Sequence, residues 1–268
     1  MVRLILAIGM LPLLLACSAK EQAEDPQVQD NSSDLQPVPE AVYPGQLAVS
    51  NDLYEFTYQW PAEAAAIEPL HAFFEDAAEA QRAEFEELAT RAESEAAQYD
   101  YPYRPYAANW DWNVLADTPL MLSLGSKHYA FTGGAHGNTQ TGAMIWDREA
   151  GEKLASEDLF TSSNALHEIL VAPYCTGLAD ERRERLGKDM VVGDYGTIPC
   201  PSIDQLTLAL AASDGQTLNQ IVLIADPYVA GAYAEGTYEV TVDLDEDILA
   251  LVKPKYLSAF AANASHSE

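Results

Sequence analysis

The sequence KHYAFTGGAHGNTQTGAMIW, residues 127–146, decides the fold that the chain can adopt. Two segments with strand character, residues 128–132 and 139–146, flank a tight turn that contains three glycines. Glycine tolerates positive φ and close backbone approach, which short hairpin turns require. The stretch therefore predicts a β-hairpin whose tip presents the imidazole of His136. We take the tip as a candidate binding surface, formed by Gly133, Gly134, His136 and Asn138.

Three roles fit His136, and the sequence leaves all three open. It can be a structural imidazole that bonds the backbone of its own loop, which is the most economical interpretation. It can also contact a partner from the exposed tip. Finally, it can act as a general acid or base, because an imidazole changes charge near neutral pH.

Upstream of this hairpin, residues 51–60 alternate between polar side chains and the rings of Tyr54, Phe56, Tyr58 and Trp60, which predicts a strand with one aromatic face. Residues 69–98 then change to a helical period, with apolar side chains at three- and four-residue steps and glutamates elsewhere. This segment predicts an amphipathic helix of about 30 residues, about 45 Å long, that packs on a sheet.

Between the helix and the hairpin lies a group of aromatic residues: Tyr99, Tyr101, Tyr103, Tyr106, Trp110 and Trp112. Tyrosine and tryptophan offer large contact areas at low entropic cost and are favoured in binding surfaces. Two interpretations remain open, a loop that binds saccharide or protein and a loop that crosses the core with its rings buried. The candidate ligand-binding residues of this group are Tyr101, Tyr103, Trp110 and Trp112.

The remaining pattern predicts an α+β fold, in which antiparallel sheets carry the long amphipathic helix and a second helix lies in the C-terminal half. The second helix is expected at residues 165–178, capped by Ser163 or Asn164 and broken or kinked at Pro173. Further strands are expected at residues 110–115, 120–124, 202–210, 220–225 and 238–244, and a short closing helix at residues 248–252.

The first residues have the pattern of an export signal. Arg3 precedes an apolar run that is too short to span a membrane, and the run ends in Leu14-Leu15-Ala16-Cys17, which resembles a bacterial lipobox. This resemblance implies a signal peptide at residues 1–16 and a lipid on Cys17; an ordinary secretory peptide is the alternative. Ser18, in place of Asp, favours the periplasmic face of the outer membrane of the cell envelope, with the lipid as the only membrane contact.

Residues 17–45 are polar, acidic and interrupted by proline, so we expect a disordered tether.

The charge of the whole chain limits the classes of partner that it can bind. The formal net charge of −28 argues against nucleic acid, whose phosphates need a basic face. It is compatible with a basic protein partner, although solubility alone also explains it.

Chemical motifs are sparse. Cys175 and Cys200 are a candidate disulfide in an exported protein, with a two-cysteine metal site as the weaker alternative. There is no G-x-S-x-G motif, and His128 with His136 lacks a third zinc ligand. The acids at residues 243–247 lack the glycine and the final glutamate of a calcium loop. We therefore predict no catalytic residue, no metal and no cofactor.

A resemblance to known families then becomes visible. Residues 129–137, YAFTGGAHG, resemble the Y-x-Y-T-G-G-A-H signature of the bacterial DUF3298 domain, and residues 146–160 and 227–244 are similar to its later segments. The strand, the acidic helix and residues 110–115 resemble DUF4163, its usual N-terminal partner. The resemblance implies a DUF4163-like part at residues 46–116 and a DUF3298-like part at residues 117–262.

In known proteins this pair of domains accompanies a peptidoglycan deacetylase of the PdaC type, and it forms the extracellular part of a lysozyme-sensing anti-sigma factor. The deacetylase's T-F-D-D-G metal motif is not in this sequence, so its activity is not implied. We therefore expect a non-enzymatic envelope lipoprotein that binds a lysozyme-like protein or peptidoglycan glycan. The alternatives are an enzyme acting on wall polysaccharide, with carboxylates brought together by the fold, and a structural lipoprotein.

Overall fold

Two β-sheets and two long helices make up the fold in the computed structural model, which describes residues 45–187 and 199–262. The strands are β1 (Gly45–Ser50), β2 (Tyr54–Trp60), β3 (Tyr106–Asp117), β4 (Met121–Phe131), β5 (Asn138–Asp147), β6 (Glu152–Leu154), β7 (Thr207–Ala211), β8 (Gln220–Ala225) and β9 (Tyr238–Asp243). The helices are α1 (Ala62–Ala65), α2 (Glu68–Gln98), α3 (Ser163–Leu186) and α4 (Glu246–Leu249). The predicted signal peptide, the lipidation site Cys17 and the tether up to residue 44 lie outside the described residues.

The larger sheet has the strand order β1-β2-β3-β4-β5-β6, and the smaller sheet has the order β7-β8-β9. Neighbouring strands are antiparallel except β2 and β3, which pair in parallel because α2 carries the chain back between them. The predicted α+β class is confirmed, with this parallel pair as an addition to the antiparallel sheets that the sequence indicated.

The hairpin at the centre of the sequence is confirmed. β4 pairs with β5 from Met121 opposite Asp147 to Ala130 opposite Asn138. The turn uses left-handed backbone at Gly133 and Gly134, with φ of +93° and +82°. β4 is one strand of eleven residues, whereas the sequence suggested two separate segments before the turn.

The long helix is also confirmed. Its buried side chains recur at helical spacing and face the larger sheet: Leu70, Phe74, Ala78, Phe85, Ala89 and Ala96. Opposite them lies the aromatic face of β2, whose four rings are all 3% exposed or less. The centroids of Trp60 and Phe74 lie 5.6 Å apart, and those of Tyr54 and Phe85 lie 5.8 Å apart. This aromatic interface fixes α2 on one face of the sheet.

The opposite face of the larger sheet joins a second core with α3 and the smaller sheet. Leu166, Leu170, Tyr174 and Leu178 of α3 are buried there. Gly177 permits a close approach to β9, because a Cβ atom at this position would lie 2.5 Å from Cγ1 of Val240. The predicted disulfide between Cys175 and Cys200 is present and joins α3 to the segment before β7, with the two Cα atoms 5.6 Å apart.

Several predicted boundaries were wrong. α3 continues through Pro173 to Leu186 instead of ending at residue 178, and its cap is Ser162, whose hydroxyl accepts a hydrogen bond from the Ala165 N–H. The continuation is stabilised because Arg182 donates to the Ala230 carbonyl and Arg185 donates to the Thr237 carbonyl, both in the segment between β8 and β9.

Short elements were also misplaced. The sequence interpretation missed the edge strands β1 and β6. Of residues 202–210, only the part from Thr207 is a strand. The closing helix begins at Glu246 instead of residue 248, capped by Asp245, whose carboxylate accepts from the Ile248 N–H at 2.8 Å.

Candidate functional site

A cavity of about 410 Å³ lies between α2 and the larger sheet. It has the size of a small-ligand site, for which 300–1,000 Å³ is typical. Its lining residues combine aromatic rings with uncharged polar side chains: Tyr58, Ala77, Gln81, Trp110, Trp112, Ser126, His128, Gln140 and Thr141. We take this aromatic cavity as the candidate functional site.

The sheet register builds the floor of the aromatic cavity. Tyr58 of β2 is paired with Trp110 of β3, Trp110 with His128 of β4, and His128 with Gln140 of β5. Paired residues in neighbouring strands direct their side chains to the same face of a sheet. Four strands therefore present one continuous row of side chains towards α2.

Ring contacts hold this row in place. The ring of Trp110 stacks on the imidazole of His128, with centroids 3.7 Å apart and planes 14° apart, and lies 6.0 Å from the Tyr58 ring. The indole N–H of Trp112 donates to the Tyr58 hydroxyl oxygen at 3.0 Å. Phe74 of α2 packs edge-on against Trp112 at 5.3 Å. The aromatic surfaces are thus fixed before any ligand arrives, which lowers the entropic cost of binding.

His128 carries an unused polar atom at the cavity. Its Nε2 is buried and has no hydrogen-bond partner in the part of the chain that the structure describes. Burial lowers the pKa of His128, so the imidazole is neutral at physiological pH and offers one donor and one acceptor. Because an unpaired buried polar group costs free energy, a ligand that bonds Nε2 would recover that cost.

The Tyr58 hydroxyl stays protonated at the same site. Burial raises the pKa of Tyr58 to about 12, although the hydrogen bond from Trp112 acts in the opposite direction. Together with the neutral imidazole of His128, this leaves the floor of the aromatic cavity uncharged at physiological pH.

The aromatic residues selected from the sequence occupy different places in the structure. Trp110 and Trp112 line the cavity. Tyr103 is packed against the fold and donates its hydroxyl hydrogen to the Leu53 carbonyl at 2.8 Å. Tyr101 is 48% exposed and lies outside the cavity lining. The group therefore divides between the cavity, the packed fold and the surface.

The hairpin tip forms a separate feature, since none of its four candidate residues lines the cavity. The Nδ1 atom of His136 lies 2.8 Å from the Gly137 carbonyl, and its ring stacks on Tyr233 at 3.8 Å. Arg104 donates to the Gly134 carbonyl at 3.0 Å. Asn138 is exposed at the start of β5. The backbone contact is the kind expected of a structural imidazole, while the exposed ring leaves the other roles open.

Sequence reasoning did not assign Tyr58, Gln81, Ser126 and Gln140 to a site. His128 had been considered only as a zinc ligand. The available signal was the hairpin itself, because its register sets Gln140 opposite His128. Within the described residues, there is no group of three or more histidine, cysteine, aspartate or glutamate side chains placed to hold a metal ion. In the same residues, no helix has the length and apolarity needed to cross a bilayer.

Residues 47–139 match the sequence model of a family described as "Deacetylase PdaC". This segment is therefore similar to the PdaC family. The matched segment runs from β1 to the second residue of β5, and it contains every lining residue of the aromatic cavity except Gln140 and Thr141. No curated protein matches the chain.

Two crystal structures of DUF3298-family proteins resemble the chain over a longer stretch than the matched segment. The protein from Bacteroides fragilis is 19% identical, with a TM-score of 0.52, over 80% of this chain and 94% of its own. The protein from Pseudomonas aeruginosa is 16% identical, with a TM-score of 0.49, over 81% of this chain and 96% of its own. The first likeness shows that the chain has a DUF3298-type fold.

Proposed function

We propose that the chain is an envelope lipoprotein, anchored through Cys17 at the periplasmic face of the outer membrane, whose aromatic cavity binds the glycan of peptidoglycan. The observation that carries the proposal is the row of Tyr58, Trp110, His128 and Gln140 across four strands. Aromatic faces pack against the C–H faces of sugar rings, and neutral amide, hydroxyl and imidazole groups bond sugar hydroxyls. The family description, a deacetylase, supports N-acetylated sugars as the ligand class.

The lining also supports binding in preference to hydrolysis. Most glycoside hydrolases use two Asp or Glu side chains on either side of the scissile bond. The nine residues that line the aromatic cavity include neither Asp nor Glu. A neutral cavity of this kind can hold an uncharged sugar without the carboxylate pair that would cleave it. The proposed activity is therefore binding without turnover.

Replacing Trp110 with alanine is expected to weaken glycan binding about tenfold, because the variant loses an aromatic stacking surface. The measurement is calorimetric titration of the chain without its predicted signal peptide, using a tetramer of N-acetylglucosamine. Tyr101→Ala is the matched control, since it removes an exposed ring outside the cavity. Equal losses in the two variants, or no binding of the tetramer or of purified peptidoglycan to the unaltered chain, would remove the proposal.

A second candidate function is binding of a lysozyme-like basic protein. Here the supporting observation is the outer face of α2, where many carboxylates are exposed: Glu75, Glu79, Glu84, Glu86, Glu87, Glu93 and Glu95. Arg82 bonds Glu79 and Glu86, and Arg91 bonds Glu87, so the acids still outnumber the bases on this face. Such a face would attract a basic partner and accelerate encounter.

For this candidate we expect stoichiometric binding of a c-type lysozyme that weakens steeply when the ionic strength rises from about 0.05 to 0.5 M. The double variant Glu84→Gln/Glu93→Gln should weaken binding further at low salt. Glu152→Gln/Glu239→Gln, which removes two exposed carboxylates on β6 and β9, is the charge-matched control. Binding that is insensitive to salt and to the α2 variant would contradict a role for this face.

A further inference from the structure

A second cleft, of about 300 Å³, lies beside β5 and shares no lining residue with the aromatic cavity. We call it the β5-edge cleft. Its walls come from four parts of the chain: β5, the 3₁₀ turn at Ser156–Leu159, the first turns of α3, and the segment leading into β7. Its polar lining includes Ser156, Glu157, His167 and Asp204.

Backbone groups of β5 are available at this cleft. β6 pairs only with the last three residues of β5, from Ile145 opposite Leu154. Nearer the hairpin tip, the Thr141 N–H donates to the Asp226 carboxylate at 3.2 Å, and the Thr141 carbonyl accepts from the Thr207 hydroxyl at 3.2 Å. Alternate residues of a strand direct their backbone groups to the same edge. Ala143 therefore directs its carbonyl to this edge, where it lines the cleft.

A buried hydroxyl faces the same space. Ser156 is 4% exposed, and its Oγ has no hydrogen-bond partner among the residues that the structure describes. A hydroxyl group that leaves water without a partner costs free energy. A ligand in the cleft would supply that partner, because Ser156 is one of the lining residues.

The titratable side chains of the cleft are two carboxylates and one imidazole. The Nε2 atom of His167 is hydrogen-bonded to a Glu157 carboxylate oxygen, which fixes this carboxylate at the cleft. Asp204 supplies a second carboxylate, and none of the eleven lining residues is lysine or arginine. The rest of the lining is largely apolar, with Ile203, Leu206 and Leu208. The cleft thus places negatively charged hydrogen-bond acceptors beside an apolar surface.

We propose that the β5-edge cleft binds a small organic cation through its primary ammonium group. An ammonium group has three N–H donors and no acceptor. The acceptors present are the Ala143 carbonyl, the Ser156 hydroxyl oxygen and the carboxylates of Glu157 and Asp204, and the hydrocarbon part of the ligand would lie on the apolar residues. This proposal does not depend on glycan binding, which uses different residues.

Two other occupants fit less well. An added β-strand from a partner would need several consecutive outward-facing residues whose backbone groups are unbonded. At this edge, the Thr141 N–H is bonded to Asp226 and Ile145 is paired with β6, which leaves Ala143 alone between them. A metal ion would need more ligands, and the described residues hold no group of three or more histidine, cysteine, aspartate or glutamate side chains placed for one.

The test is an NMR titration of the full-length protein with n-butylammonium chloride, followed by backbone amide shifts. We expect saturable shifts centred on Gly142, Ala143, Ser156 and Asp204. Tetramethylammonium, which is a cation without N–H donors, and n-butanol, which has no charge, are expected to cause no saturable shift there. Shifts spread evenly over the acidic surface, or equal responses to butylammonium and tetramethylammonium, would overturn the proposal.

Single substitutions distinguish binding of the cation in the cleft from its non-specific attraction to an acidic protein. Asp204→Asn and Ser156→Ala are each expected to raise the dissociation constant about fivefold. Glu63→Gln removes one exposed carboxylate from α1, outside the cleft lining, and is expected to leave the dissociation constant unchanged. Equal effects of Asp204→Asn and Glu63→Gln would overturn the proposal. An unchanged amide spectrum outside the cleft shows that each variant remains folded.

Discussion

Replacing Phe74 with alanine is expected to lower the free energy of unfolding by about 4 kcal/mol. Phe74 is fully buried where α2 meets the larger sheet, and it contacts the rings of Trp60, Tyr58 and Trp112. The truncated side chain would leave a cavity whose walls are large aromatic rings, and such walls collapse poorly because each ring has its own fixed neighbours. Urea denaturation followed by circular dichroism measures the effect.

The neighbouring residue provides a matched control. Phe73 is half-buried at the rim of the same helix, where the Lys153 ammonium lies 4.4 Å from its ring centroid. Phe73→Ala is therefore expected to cost clearly less than Phe74→Ala, although the chemical change is identical. Equal losses in the two variants would mean that α2 does not pack its buried face against the larger sheet in solution.

Removing the disulfide by the double substitution Cys175→Ala/Cys200→Ala is expected to cost about 3.5 kcal/mol. The two cysteines are 25 residues apart, and chain-entropy arguments assign roughly this value to closing a loop of that length. The bond also ties α3 to the segment that leads into β7, so both sides of the second core loosen together when it is lost.

Thermal and urea unfolding with and without a reductant check this expectation. Reduction of the unaltered protein should lower the midpoint to near that of the double variant, whereas the double variant should not respond to the reductant. Cys17→Ser is the control, since it removes a cysteine that takes no part in this bond. A midpoint that does not move on reduction would contradict a stabilising role for the disulfide.

Local periodicity predicted much of this fold. The alternation in β2, the three- and four-residue steps in α2 and the glycine turn of the β4–β5 hairpin are properties of short segments, so the sequence contains them directly. The end of α3 was missed for the opposite reason. Pro173 and the charged residues after it argue locally for an end, whereas the structure continues the helix because Arg182 and Arg185 reach carbonyls about 50 residues away in the chain.

The candidate site was only half visible in the sequence. Trp110 and Trp112 could be selected by residue type, because tryptophan is favoured where ligands bind. Their neighbours in the cavity depend on strand register, and the register that sets Tyr58 beside Trp110 belongs to a parallel pair separated by a long helix. No local pattern reports such a pairing. The Ser156 hydroxyl at the β5-edge cleft is equally a product of tertiary contacts.

The parallel pairing of β2 and β3 also has a consequence for the order of folding. β4 and β5 are joined by a short turn and can pair early, whereas β2 can reach β3 only after about 45 intervening residues have closed into a loop. We therefore expect β1, β2 and α2 to dock late and to open first as one unit in native-state hydrogen exchange. The aromatic cavity is lined by residues from both sides of the β2–β3 pairing, such as Tyr58 and Trp110. A glycan held there would contact both sides, slow the opening of the unit and raise its protection against exchange.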